Sequence, residues 1–268
     1  IFFVYLITNI RFMNLGYACI NMTLSGQKPK VTTNRSMIKK TFTEKGVDYA
    51  GELGMLNAAD LGRILRWNVE NGIKVFRLSS EFFPWASEYK FKDLPQYLRI
   101  KTLMAGCGHY AQRNGIRLTC HPGPFNVLTS PHEHVVQNTL TDLRIHGEIF
   151  DMMGLERTPY NKINIHCNGV YGDKQSAMDR FCKNFERLPN SVKHRLTVEN
   201  DDKASMYSVK DLMYIHERIG IPIVFDYHHH KFCTGDLSEQ EALELAISTW
   251  PKDIKPIVHY SESKALHE

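Results

Sequence analysis

The sequence predicts an α/β protein built around a parallel β-sheet. Short runs of apolar, strand-forming residues alternate along the chain with longer amphipathic stretches that have helical spacing. Strands that alternate with helices of this length form βαβ units, which make neighbouring strands parallel. The length of 268 residues suits one such domain.

Seven strands are predicted, at residues 15–20, 74–79, 117–121, 162–167, 195–199, 222–227 and 256–260. Six helices are predicted between them, near residues 55–71, 94–114, 131–153, 174–188, 208–219 and 238–249. Three serines stand three residues before a carboxylate, the spacing of a helix N-cap: Ser130, Ser208 and Ser238. Four glycines lie where helices should end: Gly72, Gly115, Gly154 and Gly220.

The strand count leaves two architectures open. A (β/α)8 barrel needs one more strand and helix than the seven strands found here. A seven-stranded open sheet would be complete with them. Composition favours neither architecture.

Composition excludes several classes of protein. A hydrophobic fraction of 43% and a charged fraction of 23% are typical of a globular domain, and a net charge of +4 is too small for a polycation. The six cysteines form no CxxC pair, which argues against a zinc finger and a disulfide scaffold. One basic stretch, residues 27–46, is either a solvated loop or a phosphate-binding segment. Its cations are Lys28, Lys30, Arg35, Lys39, Lys40 and Lys45.

The ends of the chain and the missing motifs set further expectations. Residues 1–12 are apolar but too short to span a bilayer, and they lack the basic start of a signal peptide. We interpret them as a non-native or fragment-edge extension, and residues 13–268 as a single domain. The chain is therefore expected to be cytoplasmic, with no membrane partner. Without a convincing P-loop or GxGxxG motif, no nucleotide cofactor is expected.

Metal-binding residue types follow five consecutive predicted strands. They are His121, His166, Glu199, Asp226 with His228, His229 and His230, and His259. A lone histidine near a strand end is usually structural, but parallel strands bring their carboxyl ends to one edge, where sites form. Imidazole mixed with carboxylate suits Mn, Zn or Fe, and this many ligands would hold more than one ion. Spacing alone does not say which histidine of "VFDYHHHKF" is the ligand.

Eight separated motifs resemble those of the UV damage endonucleases. They are "NLGYACINMTL", "TTNR", "FRLSSEFFPWAS", "LTCHPG", "IHCNGVYGDK", "LTVENDD", "FDYHHH" and "VHYSES", in order across residues 14–262. The resemblance implies a (β/α)8 TIM barrel and a hydrolase that cuts damaged double-stranded DNA. The implied cut lies immediately 5′ to cyclobutane dimers and (6–4) photoproducts and starts excision repair.

The resemblance also implies a metal site with two or three Mn²⁺ ions, with Zn²⁺ or Mg²⁺ as alternatives. Its ligands fall on His121, His166, Glu199, Asp226, His229 and His259, with Glu81 at a position that varies in the family. Glu199, Asp226 and His229 are the expected catalytic residues. Where some family members carry a modified lysine before the last histidine, this chain has Ile257.

The DNA-binding residues are expected on loops around that site. Tyr17 and Asn21 match family positions, and Pro124-Phe125 replaces a Gln-aromatic pair that enters the duplex. Phe125 can still stack on a base, whereas Pro124 cannot donate a hydrogen bond to one. Arg35, Lys39 and Lys40 would bind the backbone, and the chain would act as a monomer.

Family members continue past the last motif, so the barrel is expected to be truncated before its eighth strand. Two other functions stay open at this point. One is a metal-dependent sugar isomerase or epimerase, which would use the same barrel and similar ligands. The other is a non-cutting fragment that binds lesions.

Overall fold

The centre of the molecule is a closed barrel, seen in a computed structural model that describes residues 2–4 and 14–261. The strands of this described part are β1 (Phe2–Val4), β2 (Leu15–Ala18), β3 (Val75–Leu78), β4 (Arg117–Cys120), β5 (Ile163–His166), β6 (Leu196–Glu199), β7 (Ile223–Asp226) and β8 (Val258–Tyr260). They pair in chain order around the ring. The strands β2 to β8 run parallel, and β1 lies antiparallel between β8 and β2.

Helices follow the parallel strands and surround the barrel. They are α1 (Met22–Ser25), α2 (Lys39–Glu70), α3 (Tyr97–Arg113), α4 (Glu133–Met152), α5 (Lys174–Phe185), α6 (Asn190–Lys193), α7 (Val209–Ile219), α8 (Tyr227–His230) and α9 (Glu239–Ser248). Single 3-10 turns occur at Ala86–Glu88, Phe91–Asp93 and Pro159–Asn161. Among the helices described, none is both long enough and apolar enough to cross a membrane.

The barrel closure decides between the two architectures that the sequence left open. All seven predicted strands are confirmed, and they curve into a ring rather than an open sheet. The sequence analysis assigned no strand to residues 2–4, because it interpreted residues 1–12 as an extension outside the domain, whereas residues 2–4 pair with β2 and β8. Apart from this strand, residues 1–12 lie outside the described part, and their origin stays a prediction.

Helix boundaries differ from the sequence prediction in two places. Helix α2 begins at Lys39, sixteen residues before the predicted start, and bends at Gly46, which has φ of +66°. Lys39 and Lys40 therefore lie in a helical first turn rather than in a loop. The predicted cap at Ser130 is wrong: its Oγ accepts from the N–H of His132, which is itself the N-cap of α4.

The other predicted caps are confirmed. Ser208 and Ser238 each accept from the backbone N–H three residues on, and the carboxylates of Asp211 and Glu241 complete two capping boxes. Gly220 ends α7 with φ of +68°. These local signals are reliable because each depends on atoms within a few residues.

The amino end of the barrel is plugged, which leaves the carboxyl end for the site. A small apolar cluster fills the interior there: Val75, Val224, Trp250 and Ile257. Beside it the buried guanidinium of Arg117 donates to the carbonyls of Pro159 at 2.8 Å and Lys255 at 2.6 Å. A larger core packs between the outer face of the strands and the helices. Rigid filling of this kind fixes the strand ends relative to one another.

Two glycines on α3 should respond oppositely to substitution by alanine. A Cβ at Gly108 would lie 1.8 Å from the carbonyl oxygen of Met153, whereas one at Gly106 would meet nothing within 4 Å. We expect Gly106→Ala to stabilise the protein by about 0.5–1 kcal/mol, because alanine favours helix. Gly108→Ala should destabilise it by about 1–3 kcal/mol through forced separation of α3 from the segment after α4.

Urea denaturation of both variants against the parent chain gives the comparison. Equal effects of the two substitutions would show that α3 does not approach Met153 this closely.

Candidate metal centre

Strand β5 shows how the sequence lines the barrel with polar groups. Its apolar residues Ile163 and Ile165 join the outer core. The residues that alternate with them, Lys162, Asn164 and His166, point into the barrel and reach the centre of the ring. A fully buried parallel strand is usually apolar on both faces. The alternation "KINIH" was therefore a readable signal, although sequence reasoning singled out only His166.

Glu199, at the end of β6, is the centre of the cluster. Its side chain is buried, and it accepts a hydrogen bond from Asn164. Nitrogen atoms of four histidines lie within 3.9 Å of its two oxygens, at 2.9 Å (His259), 3.2 Å (His121), 3.5 Å (His229) and 3.9 Å (His166). Strands distant in the chain thus converge on one carboxylate.

Two groups of residues in the described part offer ligand atoms that all lie within 4.8 Å of one another. One is His121, His166 and Glu199, and the other is Glu199, Asp226 and His229. Because both groups include Glu199, its two oxygens can serve two neighbouring positions. The second group contains the middle histidine of the run. His228 instead packs on Phe232, and His230 is buried against Phe225.

The histidine rings are held in orientations that suit metal binding. The Nδ1 atom of His121 lies 3.1 Å from the carbonyl of Pro122, and that of His229 lies 2.9 Å from the carbonyl of Asn200. If each Nδ1 donates to its carbonyl, Nε2 keeps the lone pair that a metal requires. For His121 this Nε2 is 3.2 Å from a Glu199 oxygen. A lone pair and a carboxylate that face each other are stabilised by a shared cation.

The charges of the site also favour a bound cation. Burial and the neighbouring Glu199 raise the pKa of Asp226, because two close carboxylates are costly to ionise together. Burial alone would lower the pKa of His166, but Glu199 and Asp201 raise it to about 9. In the absence of metal, a proton on this imidazole thus supplies part of the positive charge that the carboxylates need, and a bound cation would replace that proton. The donor set therefore fits cations such as Mn²⁺ or Zn²⁺.

Two predicted ligands, His259 and Glu81, lie outside the two ligand groups of the described part. The Nδ1 atom of His259 is 2.9 Å from Glu199, and its Nε2 is 3.1 Å from the buried Nζ of Lys162. The ring is thus held between a lysine and a carboxylate, outside the two groups. Glu81 is exposed on the loop after β3 and joins neither group within the described residues. Ligation by either residue stays a prediction.

Phe125 stands on an anchored turn after β4. Its side chain is 86% exposed, and Pro124 beside it is exposed too. The turn is held by Asn126, whose Nδ2 donates to Gly123 and, at 2.7 Å, to Asp142. An exposed aromatic ring on a fixed turn has the form of a stacking group for nucleic acid.

The other predicted DNA-binding residues have partners within the protein. The Tyr17 hydroxyl donates to Asn68 at 2.7 Å and accepts from Asn21, whose Oδ1 also caps α1. Arg35 pairs with Asp60 at 2.6 Å, and its side chain is 24% exposed. Lys39 and Lys40 are exposed at the start of α2. No local sequence pattern predicted long-range contacts such as Arg35–Asp60.

The family described as UV-endonuclease UvdE matches residues 13–268 of this chain. UV-damage endonucleases of Schizosaccharomyces pombe and Neurospora crassa are 36% and 35% identical to it, over 93% and 92% of its length. The UV DNA damage endonuclease of Clostridium perfringens is 34% identical over 93%. The chain spans only 42%, 43% and 58% of these three relatives' lengths, respectively.

Solved structures give the same comparison in three dimensions. The crystal structure of SacUVDE is 33% identical, with a TM-score of 0.80 over 93% of this chain and 80% of that one. D-psicose 3-epimerase from Clostridium cellulolyticum H10 reaches a TM-score of 0.53 at 14% identity, over 76% of this chain and 68% of that one. The second likeness concerns the barrel fold alone.

Lys162 should make the stability of the metal-free protein depend on pH. Burial lowers the pKa of Lys162 to about 7, compared with about 10.4 in an unfolded chain. Between these values the unfolded chain binds a proton that the folded protein does not. Stability should therefore rise with pH from about 7 to about 10, by up to about 1.4 kcal/mol per pH unit.

The measurement is denaturant unfolding in EDTA at several pH values, for the parent chain and for Lys162→Met. The difference between the two should carry this slope. Lys252→Met, a change at an exposed lysine, serves as the control and should leave the slope of the parent chain unaltered. A difference that is flat with pH would mean that Lys162 stays protonated in the fold.

Proposed function

The chain belongs to the UV-endonuclease UvdE family, and we propose that it incises double-stranded DNA beside UV photoproducts. The proposed reaction is hydrolysis of the phosphodiester immediately 5′ to a cyclobutane dimer or a (6–4) photoproduct. The observation that carries the proposal is the pair of ligand groups that share Glu199 at the carboxyl end of the barrel. The named relatives and the eight motifs support the choice of substrate.

We propose two Mn²⁺ ions at these groups, with Zn²⁺ or Mg²⁺ as alternatives. His121 and His166 would hold one ion, Asp226 and His229 the other, and Glu199 would bridge them. A third ion, if bound, would use His259 or Glu81. When bound, such ions neutralise charge on a phosphate and make a water molecule more acidic.

The protein's own groups orient this chemistry. Carbonyls of Pro122 and Asn200 fix the rings of His121 and His229, so that the same nitrogen of each ring is available. The carboxylate of Asp226 is held by the N–H of His229 at 2.9 Å. Outer contacts of this kind typically change metal affinity or activity by about 10- to 100-fold when they are removed.

The DNA would lie across the carboxyl end of the barrel. Phe125 would stack where the damaged bases leave the helix, which damage makes less costly. Lys39 and Lys40 stand in the first turn of α2, where cations oppose the helix dipole, so a phosphate beside them would be stabilised. Arg35, Asn21, Tyr17 and Pro124 complete the proposed DNA surface.

A sugar isomerase or epimerase is the alternative that the shared fold suggests. It would need a closed pocket for a small substrate, and it would have no use for an exposed aromatic ring at Phe125. A non-cutting lesion-binding fragment is a further alternative. The monomeric state and the cytoplasmic location stay predictions.

Incision of a duplex with one cyclobutane dimer and an end label tests the proposal. We expect a single nick 5′ to the dimer with Mn²⁺, and none with EDTA or with undamaged duplex. Glu199→Gln keeps the side-chain shape but removes the bridging charge, and should lower the rate by more than about 100-fold. Glu217→Gln, at an exposed position on α7, is the matched control and should cut normally.

Binding without a nick in Mn²⁺ would favour the lesion-binding alternative. If the parent chain neither binds nor cuts damaged DNA, but converts a ketose in Mn²⁺, the epimerase alternative would take precedence.

Phe125→Ala should weaken binding to the damaged duplex by about 1–3 kcal/mol, the size of one base–aromatic stack. Phe125→Tyr should keep most of the affinity, because the ring remains. The effect should be smaller on undamaged duplex, whose bases stay stacked. Titration of the parent chain and both variants into labelled damaged and undamaged duplexes, in EDTA, measures the six affinities. Equal losses on damaged and undamaged DNA would argue against insertion at the lesion.

A further inference from the structure

A groove opens between the segment that follows α8, the loop after β6, and the starts of α5 and α7. Its volume is about 590 Å³. Its lining includes Lys174, Lys210, Lys231, Phe232 and Thr234. None of these residues belongs to the proposed metal ligands or to the DNA surface described above.

The groove has a fixed position relative to the metal centre. The backbone N–H groups of Phe232 and Cys233 both donate to the carbonyl of His229, at 3.0 and 3.1 Å. Lys231 is the C-cap of α8, directly after the histidine run. The lining residues Lys231, Phe232 and Cys233 are therefore held on the segment that directly follows the proposed ligand His229.

Two of its cations are available to an anion. Lys210 and Lys231 are exposed, and neither forms an ion pair with a residue in the described part. The carboxylate of Asp211 is already engaged by Lys174 at 3.0 Å and by the backbone N–H of Ser208 at 2.9 Å. Asp236 is the remaining acid in the lining. The net charge that faces a ligand is positive.

The groove also contains an aromatic surface. Phe232 is 54% exposed, and the ring of His228 packs edge-on against it at 5.2 Å. This contact holds the Phe232 ring in place and leaves part of its surface open. An exposed, supported ring next to cations is the combination that single nucleic acid strands bind, with bases on the ring and phosphates on the cations.

We propose that this groove binds one strand of the DNA where it leaves the metal centre, with Lys210 and Lys231 on successive phosphates and Phe232 on a base. The inference rests on the proposed function, because it assigns contacts for the same substrate. It places a stacking residue on the loop after β7, in addition to Phe125 on the loop after β4.

The test for the lysines is the salt dependence of DNA binding, measured in EDTA so that hydrolysis does not interfere. The variant is Lys210→Gln with Lys231→Gln, titrated into a labelled duplex that carries one cyclobutane dimer. Each phosphate contact contributes about 0.9 to the slope of log affinity against log salt concentration, so the slope should fall by about 1.8. Lys252→Gln with Lys255→Gln removes the same charge from the opposite end of the barrel and should leave the slope unchanged.

The test for the ring is affinity at one salt concentration. Phe232→Ala should weaken binding by about 5- to 150-fold without changing the salt slope, and Phe232→Tyr should restore it. Thermal unfolding of each variant confirms that the fold is intact. The inference is overturned if the two double variants have equal slopes, or if Phe232→Ala binds as the parent chain does.

These outcomes are separate from failure of the proposed function. If the parent chain nicks the dimer duplex but the groove variants bind normally, only the groove assignment is wrong. If the parent chain neither binds nor nicks the duplex, the proposed function and the groove assignment fail together.

Discussion

Two buried carboxylates, Glu199 and Asp226, need positive charge inside a barrel that excludes most water. Burial makes an uncompensated pair of this kind costly. The surrounding groups meet the need in several ways: nitrogens of four histidines lie near Glu199, Asn164 donates to it, and the raised pKa of His166 favours a proton on its ring. Divalent cations would satisfy the same charges more completely. The arrangement of histidines around Glu199 and the fit of this site to a cation both follow from this one electrostatic requirement.

The tightly filled amino end of the barrel keeps these charged groups in position at the carboxyl end. Arg117, Trp250 and the apolar cluster fill the amino end of the barrel, so the strands cannot shift relative to one another. His166, Glu199 and Asp226 are then the last residues of fixed strands, and His121 directly follows one. The loops that carry exposed rings are anchored as well, by Asn126 near Phe125 and by the His229 carbonyl near Phe232. Metal-assisted hydrolysis requires functional groups that are held in position in this way.

The order of the strands places the proposed site residues one after another around the rim of the barrel. Going around the ring from β4 to β7, the chain passes His121, Phe125, His166, Glu199, Asp226 and Phe232 in sequence. The exposed rings of Phe125 and Phe232 therefore stand beyond the first and the last of these four strands. A duplex whose bases are displaced could contact both rings while one phosphate lies at the metals. A small sugar would contact neither ring. This is the clearest physical difference between the proposed function and the sugar isomerase or epimerase alternative.

The sequence by itself determined the seven parallel strands, the capping boxes at Ser208 and Ser238, and the level at which metal-binding residues gather. These features depend on period-two alternation and on hydrogen bonds within a few residues. Tertiary structure decided the barrel closure, the placement of His229 rather than its neighbours in a possible ligand group, the Lys162–His259–Glu199 contact and the Arg35–Asp60 pair. These depend on strands and helices that are far apart in the chain. Packing between such elements determines which nitrogen contacts which oxygen. Local sequence patterns therefore do not predict these contacts.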